Sequence, residues 1–212
     1  YFFFDFQIKK YLDFIKNMVK KAFIMTRLPH VGLNKKRLSR EIGYLRTKRF
    51  ILNNIEKYKK IFLTRNDWEL NYYITKKETF RSFTFSHNKG FIIQNAGDLG
   101  EKIWNLKKIV SSPFILFGND IPDISISSIN LSFEYLKKSE IVIGPSIDGG
   151  FWLIGFANRK IIPFPFSNIR WSSSNTLEDL LFNLNRHRIK FSLTEKLRDI
   201  DILDDYCDYI SS

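Results

Sequence analysis

Residues 114–156 read FILFGNDIPDISISSINLSFEYLKKSEIVIGPSIDGGFWLIGF. Two apolar runs, 114–117 and 141–143, each end in a glycine turn that leads to an aspartate, Asp120 after the first and Asp148 after the second. Runs with no polar alternation are what strands buried on both faces require, and a parallel sheet covered by helices on each side buries its strands in that way. The 22 residues 119–140 supply one cover. Pro122 breaks the chain, Asp123 or Ser125 is placed to cap a helix, and Ile126, Ile129, Phe133 and Leu136 then repeat on one helical face. The stretch therefore predicts a βαβ unit, right-handed by default. In open α/β sheets ligands bind beyond the carboxyl ends of the strands, which is where Asp120 and Asp148 fall.

The two acids invite different chemistry. A carboxylate just beyond a parallel strand suits a divalent ion, since Mg²⁺ keeps several waters and takes one or two carboxylates plus substrate phosphates. Asp120 is the candidate ligand, with Asn119 or Asp123 adjusting its surroundings. Read as plain structure, an aspartate here caps the following helix, a task that suits Asp123 better than Asp120. Gly149 and Gly150 let the backbone pass close to a ligand and turn sharply into residues 151–156. A simple glycine hairpin accounts for both glycines but leaves Asp148 without a task. Beside a metal and a diphosphate, Asp148 is either a second ligand or the base that deprotonates an acceptor hydroxyl.

Working outward, 212 residues with 44% hydrophobic and 16% aromatic content suit one domain with a substantial core and argue against disorder. One cysteine, Cys207, excludes an intramolecular disulfide framework and cysteine-based zinc clusters, so a reducing cytoplasm fits best. The three histidines have no metal-site spacing, and no apolar run approaches the ~20 residues of a membrane helix. The net charge of +12 is uneven: residues 1–60 hold 16 Lys+Arg and 4 Asp+Glu, whereas residues 61–212 hold 18 of each. A nucleic-acid or anionic-membrane surface is one reading of that excess, and a composition biased toward Lys, Asn, Ile and Phe is the other.

In chain order, residues 1–17 carry helical spacing at Ile8, Tyr11, Leu12 and Ile15, yet the first convincing strand follows Met18. The reading takes Met18 as the native start and residues 1–17 as an extension, with the domain at 18–212. Residues 22–26 (AFIMT) form the first strand, then a loop with Pro29 and Gly32 leads to Lys35, Lys36 and Arg37. A helix is expected at about 40–58, strands at 61–64 and 70–75, and no chemistry between Lys76 and Gly90, where His87 reads as a surface residue. Such a loop, opening into a helix with one Lys and one Arg, is a diphosphate cradle: Arg binds phosphate oxygens as a fork, Lys acts as a point charge, and helix-start amides add donors. After a short strand at 91–94, Asp98 and Glu101 make a capping box for a helix bearing Leu99, Ile103, Leu106 and Ile109. Further on, Asn175 with Glu178 caps a helix with Leu177, Leu180, Leu181 and Leu184 on one face, residues 189–193 alternate as a last strand, and Asp201 is placed to cap a terminal helix that buries Cys207.

Five segments, in order, resemble the small bacterial glycosyltransferase-like family known as domain of unknown function 2064. They are Lys-Lys-Arg-Leu at 35–38, GDLGE at 97–101, GNDIPD at 118–123, GPSIDGG at 144–150 with the following FWLIG, and the Trp171 loop with the Arg198, Asp199, Asp201 segment. Departures are Val31 for a second proline, Lys36 for Thr, Asn119 for Ser, and Phe151 and Trp152 for tyrosines. The resemblance covers about Met18 to the C terminus. It implies an α/β fold, a single Rossmann-like GT-A domain of the nucleotide-diphospho-sugar transferase type, with a mostly parallel sheet and helices on both faces. It implies a glycosyltransferase using Mg²⁺ or Mn²⁺ at Asp120, with Lys35, Arg37 and Asp98 at the nucleotide and diphosphate, Asp148 catalytic, and Gly149, Gly150 and Trp171 at the sugar or acceptor. The implied partners are a nucleotide sugar and an acceptor whose identity, like the oligomeric state, the sequence does not carry. A nucleotidyltransferase releasing pyrophosphate is the alternative, disfavoured because Gly32 is the one glycine of the loop. A basic nucleic-acid-binding protein ranks last, since no aromatic-basic RNA motif or helix-turn-helix accompanies the charge.

Overall fold

The computed structural model describes residues 19–26, 35–75 and 90–211. The expectations for residues 1–17, Met18, the Pro29–Gly32 turn and His87 lie outside them. Strands β1 (Lys20–Thr26), β2 (Trp68–Ile74), β3 (Phe91–Ile93), β4 (Phe114–Gly118), β5 (Ile141–Pro145), β6 (Phe151–Phe156) and β7 (Phe191–Leu193) form one sheet in the order β3-β2-β1-β4-β6-β5-β7. The pairings are parallel except those of β6, which runs antiparallel between β4 and β5. The mostly parallel α/β sheet expected from the apolar runs is thus present.

Alternate residues of β4 enter opposite layers, Ile115 and Phe117 one and Phe114 and Leu116 the other. This is why the run shows no polar alternation. On the first side lie α1 (Lys36–Ile42), α2 (Tyr44–Leu63), α4 (Ile126–Leu136) and α6 (Leu203–Ser211), where Leu38, Phe50, Ile55, Tyr58, Ile129 and Phe133 pack on Ile24, Phe117 and Val142. On the second lie α3 (Leu99–Ile109) and α5 (Thr176–Arg186), where Ile103, Leu106, Leu180 and Leu184 pack on Phe23, Phe114 and Ile154. Each such buried side chain contributes about 1.5–3 kcal/mol. Among the described residues no helix is long and apolar enough to cross a membrane.

Several local expectations are corrected. The βαβ unit exists as β4, α4 and β5, but its strands are not neighbours, because the short turn after β5 sends the chain straight back as an antiparallel strand between them. Gly155 makes room for this: a Cβ there would stand 2.8 Å from both Ile115 Cγ2 and Val142 Cγ1. The helix expected at 40–58 is two, α1 and α2, divided at Gly43 with φ 84°. Residues 61–63, expected as strand, are the last turn of α2, where Ile61 and Phe62 continue the buried face of Ile51, Asn54, Ile55 and Tyr58. An apolar triplet does not distinguish the two. Ser125 caps α4, in a capping box with Ser128. Asn175 makes no side-chain cap on α5 and bonds Glu178 instead. The amides of Asp201 and Ile202 donate to Asp205 Oδ2, so Asp201 itself is free for other partners. Cys207 is exposed, because α6 meets α2 through Tyr206 and Tyr209 against Phe50.

Candidate active site

The ends of β4 and β5 open into a cleft of about 300 Å³ whose wall includes Met25, Leu99, Asp120, Asp148, Gly150, Phe151, Trp171 and Asp199. β4 ends in Gly118, where a Cβ would lie 2.3 Å from Asp120 Oδ1; without one, the Asp120 carboxylate folds back over the strand end. Its carbonyl is fixed by the amide of Ile200 at 3.0 Å. Asn119 does not turn toward the acid. Its side chain donates to Thr26 Oγ1 at 2.6 Å and its carbonyl accepts from Asn54 Nδ2 at 3.2 Å, tying β4 to β1 and α2.

Lys35 occupies the centre of the charges. It sits at the start of α1 with φ 44°, and its ammonium lies 2.5 Å from Asp120 Oδ2 and 2.9 Å from Asp201 Oδ1. Burial by itself lowers the pKa of this amine, but Asp120 and then Asp201 outweigh it and hold the charge more firmly than in an ordinary lysine. Arg37, largely exposed, reaches Asp201 at 3.2 Å. Burial opposes ionisation of Asp201 as well, yet Lys35 and Arg37 bring its pKa below the usual carboxylate range. Both basic residues of the expected phosphate cradle are thus engaged by carboxylates.

Asp148 sits exposed in the turn after β5, its Oδ1 accepting the Gly150 amide at 2.8 Å. Beside it arrives Asp199, carried in by the chain beyond β7, whose Leu197 pairs in parallel with Ser146 and whose amide donates to Pro145 at 3.1 Å. Burial first, then the negative charge of Asp148 and of Asp120, push the Asp199 carboxyl up to about 6. This third acid went unassigned in the sequence reading. Its one signal there was its place in the Arg198, Asp199, Asp201 segment. Among the described residues no three His, Cys, Asp or Glu side chains converge as a ready metal cage. The donor set nonetheless fits Mg²⁺ or Mn²⁺: such ions need one or two protein carboxylates, and Asp120, Asp148 and Asp199 line the same cleft.

The opposite wall is aromatic. Trp171 donates its indole N–H to Asp98 Oδ2 at 3.2 Å and packs near Phe166 and Phe151, with centroids 6.1 and 6.4 Å away. A Cβ on Gly100 would stand 2.7 Å from the Trp171 ring, so the glycine after Leu99 admits the indole to the start of α3. Asp98 and Glu101 form the expected capping box. Gly149, with φ 89°, would bring a Cβ within 2.1 Å of Ser174 O, and its own carbonyl accepts the Leu177 amide at 2.9 Å. Of the expected site residues, Asp120, Asp148, Gly150 and Trp171 line the cleft. Lys35, Arg37, Asp98 and Gly149 do not line it, although Lys35 and Asp98 bond to residues that do.

The family described as "Uncharacterized protein conserved in bacteria (DUF2064)" matches residues 63–173. No curated protein matches the chain. Among solved structures, a Desulfovibrio desulfuricans G20 protein provisionally described as a nucleotide-diphospho-sugar transferase is 22% identical with a TM-score of 0.77, over 88% of this chain and 84% of that one. A nucleotidyl transferase from Methanothermobacter is 14% identical, TM-score 0.59, over 90% and 95%. The Mycobacterium tuberculosis H37Rv protein Rv0371c, in complex with manganese, is 12% identical, TM-score 0.50, over 91% and 98%. At these identities the likeness is one of fold.

Proposed function

The chain belongs to the DUF2064 family, and on that premise we propose that it is a metal-assisted glycosyltransferase taking a nucleotide-diphosphate sugar as donor. The observation that carries the reading is the charge cluster at the strand ends: Lys35 lies against Asp120 and Asp201 while Asp148 and Asp199 crowd the same edge. Asp120 would hold Mg²⁺ or Mn²⁺, and the ion when bound supplies charge stabilisation for the departing nucleoside diphosphate. Lys35 and Arg37, whose present partners are carboxylates, turn to the diphosphate oxygens. Asp148 takes the acceptor hydroxyl's proton or joins Asp120 as a ligand. Gly150 leaves the backbone open beside the sugar, Trp171 offers an apolar face to it, and Asp98 steadies that indole. The fold neighbour described as a nucleotide-diphospho-sugar transferase and the neighbour with manganese both support this reading.

The nucleotidyl transferase among the fold neighbours supports a second reading, transfer of a nucleotidyl group with release of pyrophosphate. Thermal-shift measurement separates the two. Saturation at 100 times Kd adds about 2.7 kcal/mol, which for a chain of this length raises Tm by roughly 5–10 °C. A nucleoside diphosphate or its sugar with Mn²⁺ is expected to produce that rise in the wild type and none in Asp120→Ala. Stabilisation by triphosphates alone, with pyrophosphate released, favours the second reading. Salt-sensitive RNA binding without any nucleotide effect overturns both.

A further inference from the structure

Half of the basic excess stands on a segment apart from the cleft. Residues 38–65 hold eight Lys+Arg against two Asp+Glu, +6 of the chain's +12. α2 turns Thr47, Phe50, Ile51, Asn54, Ile55, Tyr58, Ile61 and Phe62 inward. Its outward side carries Leu45 and Leu63, 76% and 68% exposed, with Leu52 half-buried between them. At 3.6 residues per turn, these three point the same way within about 20° and mark a line about 27 Å long. Arg46, Arg49 and Lys60 flank the line on one side and Lys48 on the other. Among the described residues no salt bridge reaches these four cations. Of the two acids of the segment, Glu56 lies on the same line and is neutralised by Lys59 at 2.5 Å, and Glu41 accepts the Leu203 amide at 2.7 Å.

We propose that this face of α2 is a docking surface for a bilayer containing anionic lipid, the helix lying along the headgroups with Leu45 and Leu63 entering them. The unpaired cations complement an anionic leaflet. The leucines select a bilayer over nucleic acid, because a base-stacking surface uses exposed aromatic side chains, and of the four on α2 Phe50, Tyr58 and Phe62 are buried in the core and Tyr44 is half-buried. Helix α2 is bound to the fold by its inner face, and among the described residues none pairs with the four cations of its outer face, which can meet a surface without unfolding. The inference is independent of the reaction at the cleft.

Sedimentation of the full chain with vesicles of phosphatidylcholine containing about 30% phosphatidylglycerol, against pure phosphatidylcholine, tests it. The chain is expected to partition at least tenfold more strongly to the anionic vesicles. Each Lys or Arg near such a surface is worth about fivefold, so Arg46→Glu/Arg49→Glu/Lys60→Glu is expected to lose at least 100-fold. Leu45→Ser/Leu63→Ser, at exposed positions and unchanged Tm, is expected to lose several-fold while keeping the dependence on anionic lipid. Equal binding to neutral vesicles, no binding at all, a folded charge-reversal variant that binds as wild type, or indifference to the leucine pair overturns the proposal. So does salt-dependent capture of RNA with no vesicle partition.

Discussion

Asp199 shows what a single carboxyl gains from its address. Its neighbours on the sequence are ordinary, yet burial and the charges of Asp148 and Asp120 push it up to about 6. A carboxyl raised above its unfolded value binds a proton in the fold that the open chain releases, so its stabilisation is present at acid pH and is lost as pH rises through about 6. Asp199→Asn removes the charge that is costly at neutral pH. Its Tm is expected to lie about 2–4 °C above wild type at pH 7.5, with the gain falling to about a third of that near pH 4.5, where the folded wild type carries the proton but the unfolded chain still releases most of it. Calorimetric melts at the two pH values check this; an equal difference at both would place the effect outside ionisation.

The turn joining β5 to β6 acts through geometry more than chemistry. Gly149 has φ 89° and stands where a Cβ would meet Ser174 O at 2.1 Å, while its carbonyl receives the first turn of α5. Gly149→Ala therefore forces both a left-handed alanine and a backbone shift, and is expected to destabilise by about 2–3 kcal/mol in denaturant titration. Asp148, one residue earlier, is displaced with it. A stability within 0.5 kcal/mol of wild type would show that the turn and α5 are not rigidly joined. The sequence places Gly149 at a ligand pocket, and in the fold it also joins turn to helix through Ser174 and Leu177. No periodicity signals that, since Ser174 lies far along the chain.

For the whole molecule, the sheet is shared by two apolar layers. Trp68 and Trp152 belong to one, and Trp104 and Trp171 border the other. Because every central strand sends alternate side chains into both, neither layer survives loss of the other. Tryptophan fluorescence and far-UV circular dichroism are expected to follow one coincident transition in urea, and two separated transitions would contradict the shared sheet. Much of this was legible beforehand. The apolar runs at 114–117 and 141–143 announced strands buried twice over, and Asp98 with Glu101 announced a helix start, because burial pattern and capping are local properties. The same local logic misread residues 61–63, where an apolar triplet ends a helix, and Cys207, whose exposure depends on how α6 meets α2.

By itself the sequence determined that helices cover both faces of a largely parallel sheet, and that Asp120 and Asp148 stand at its strand ends. Only the tertiary structure decided which charges meet there. It brought Lys35 across 166 residues to Asp201 and also onto Asp120, inserted β6 between β4 and β5, and delivered Asp199 beside Asp148. Periodicity reports the environment of a residue along its own element, whereas partners so distant in sequence are set by the summed packing of the elements that carry them.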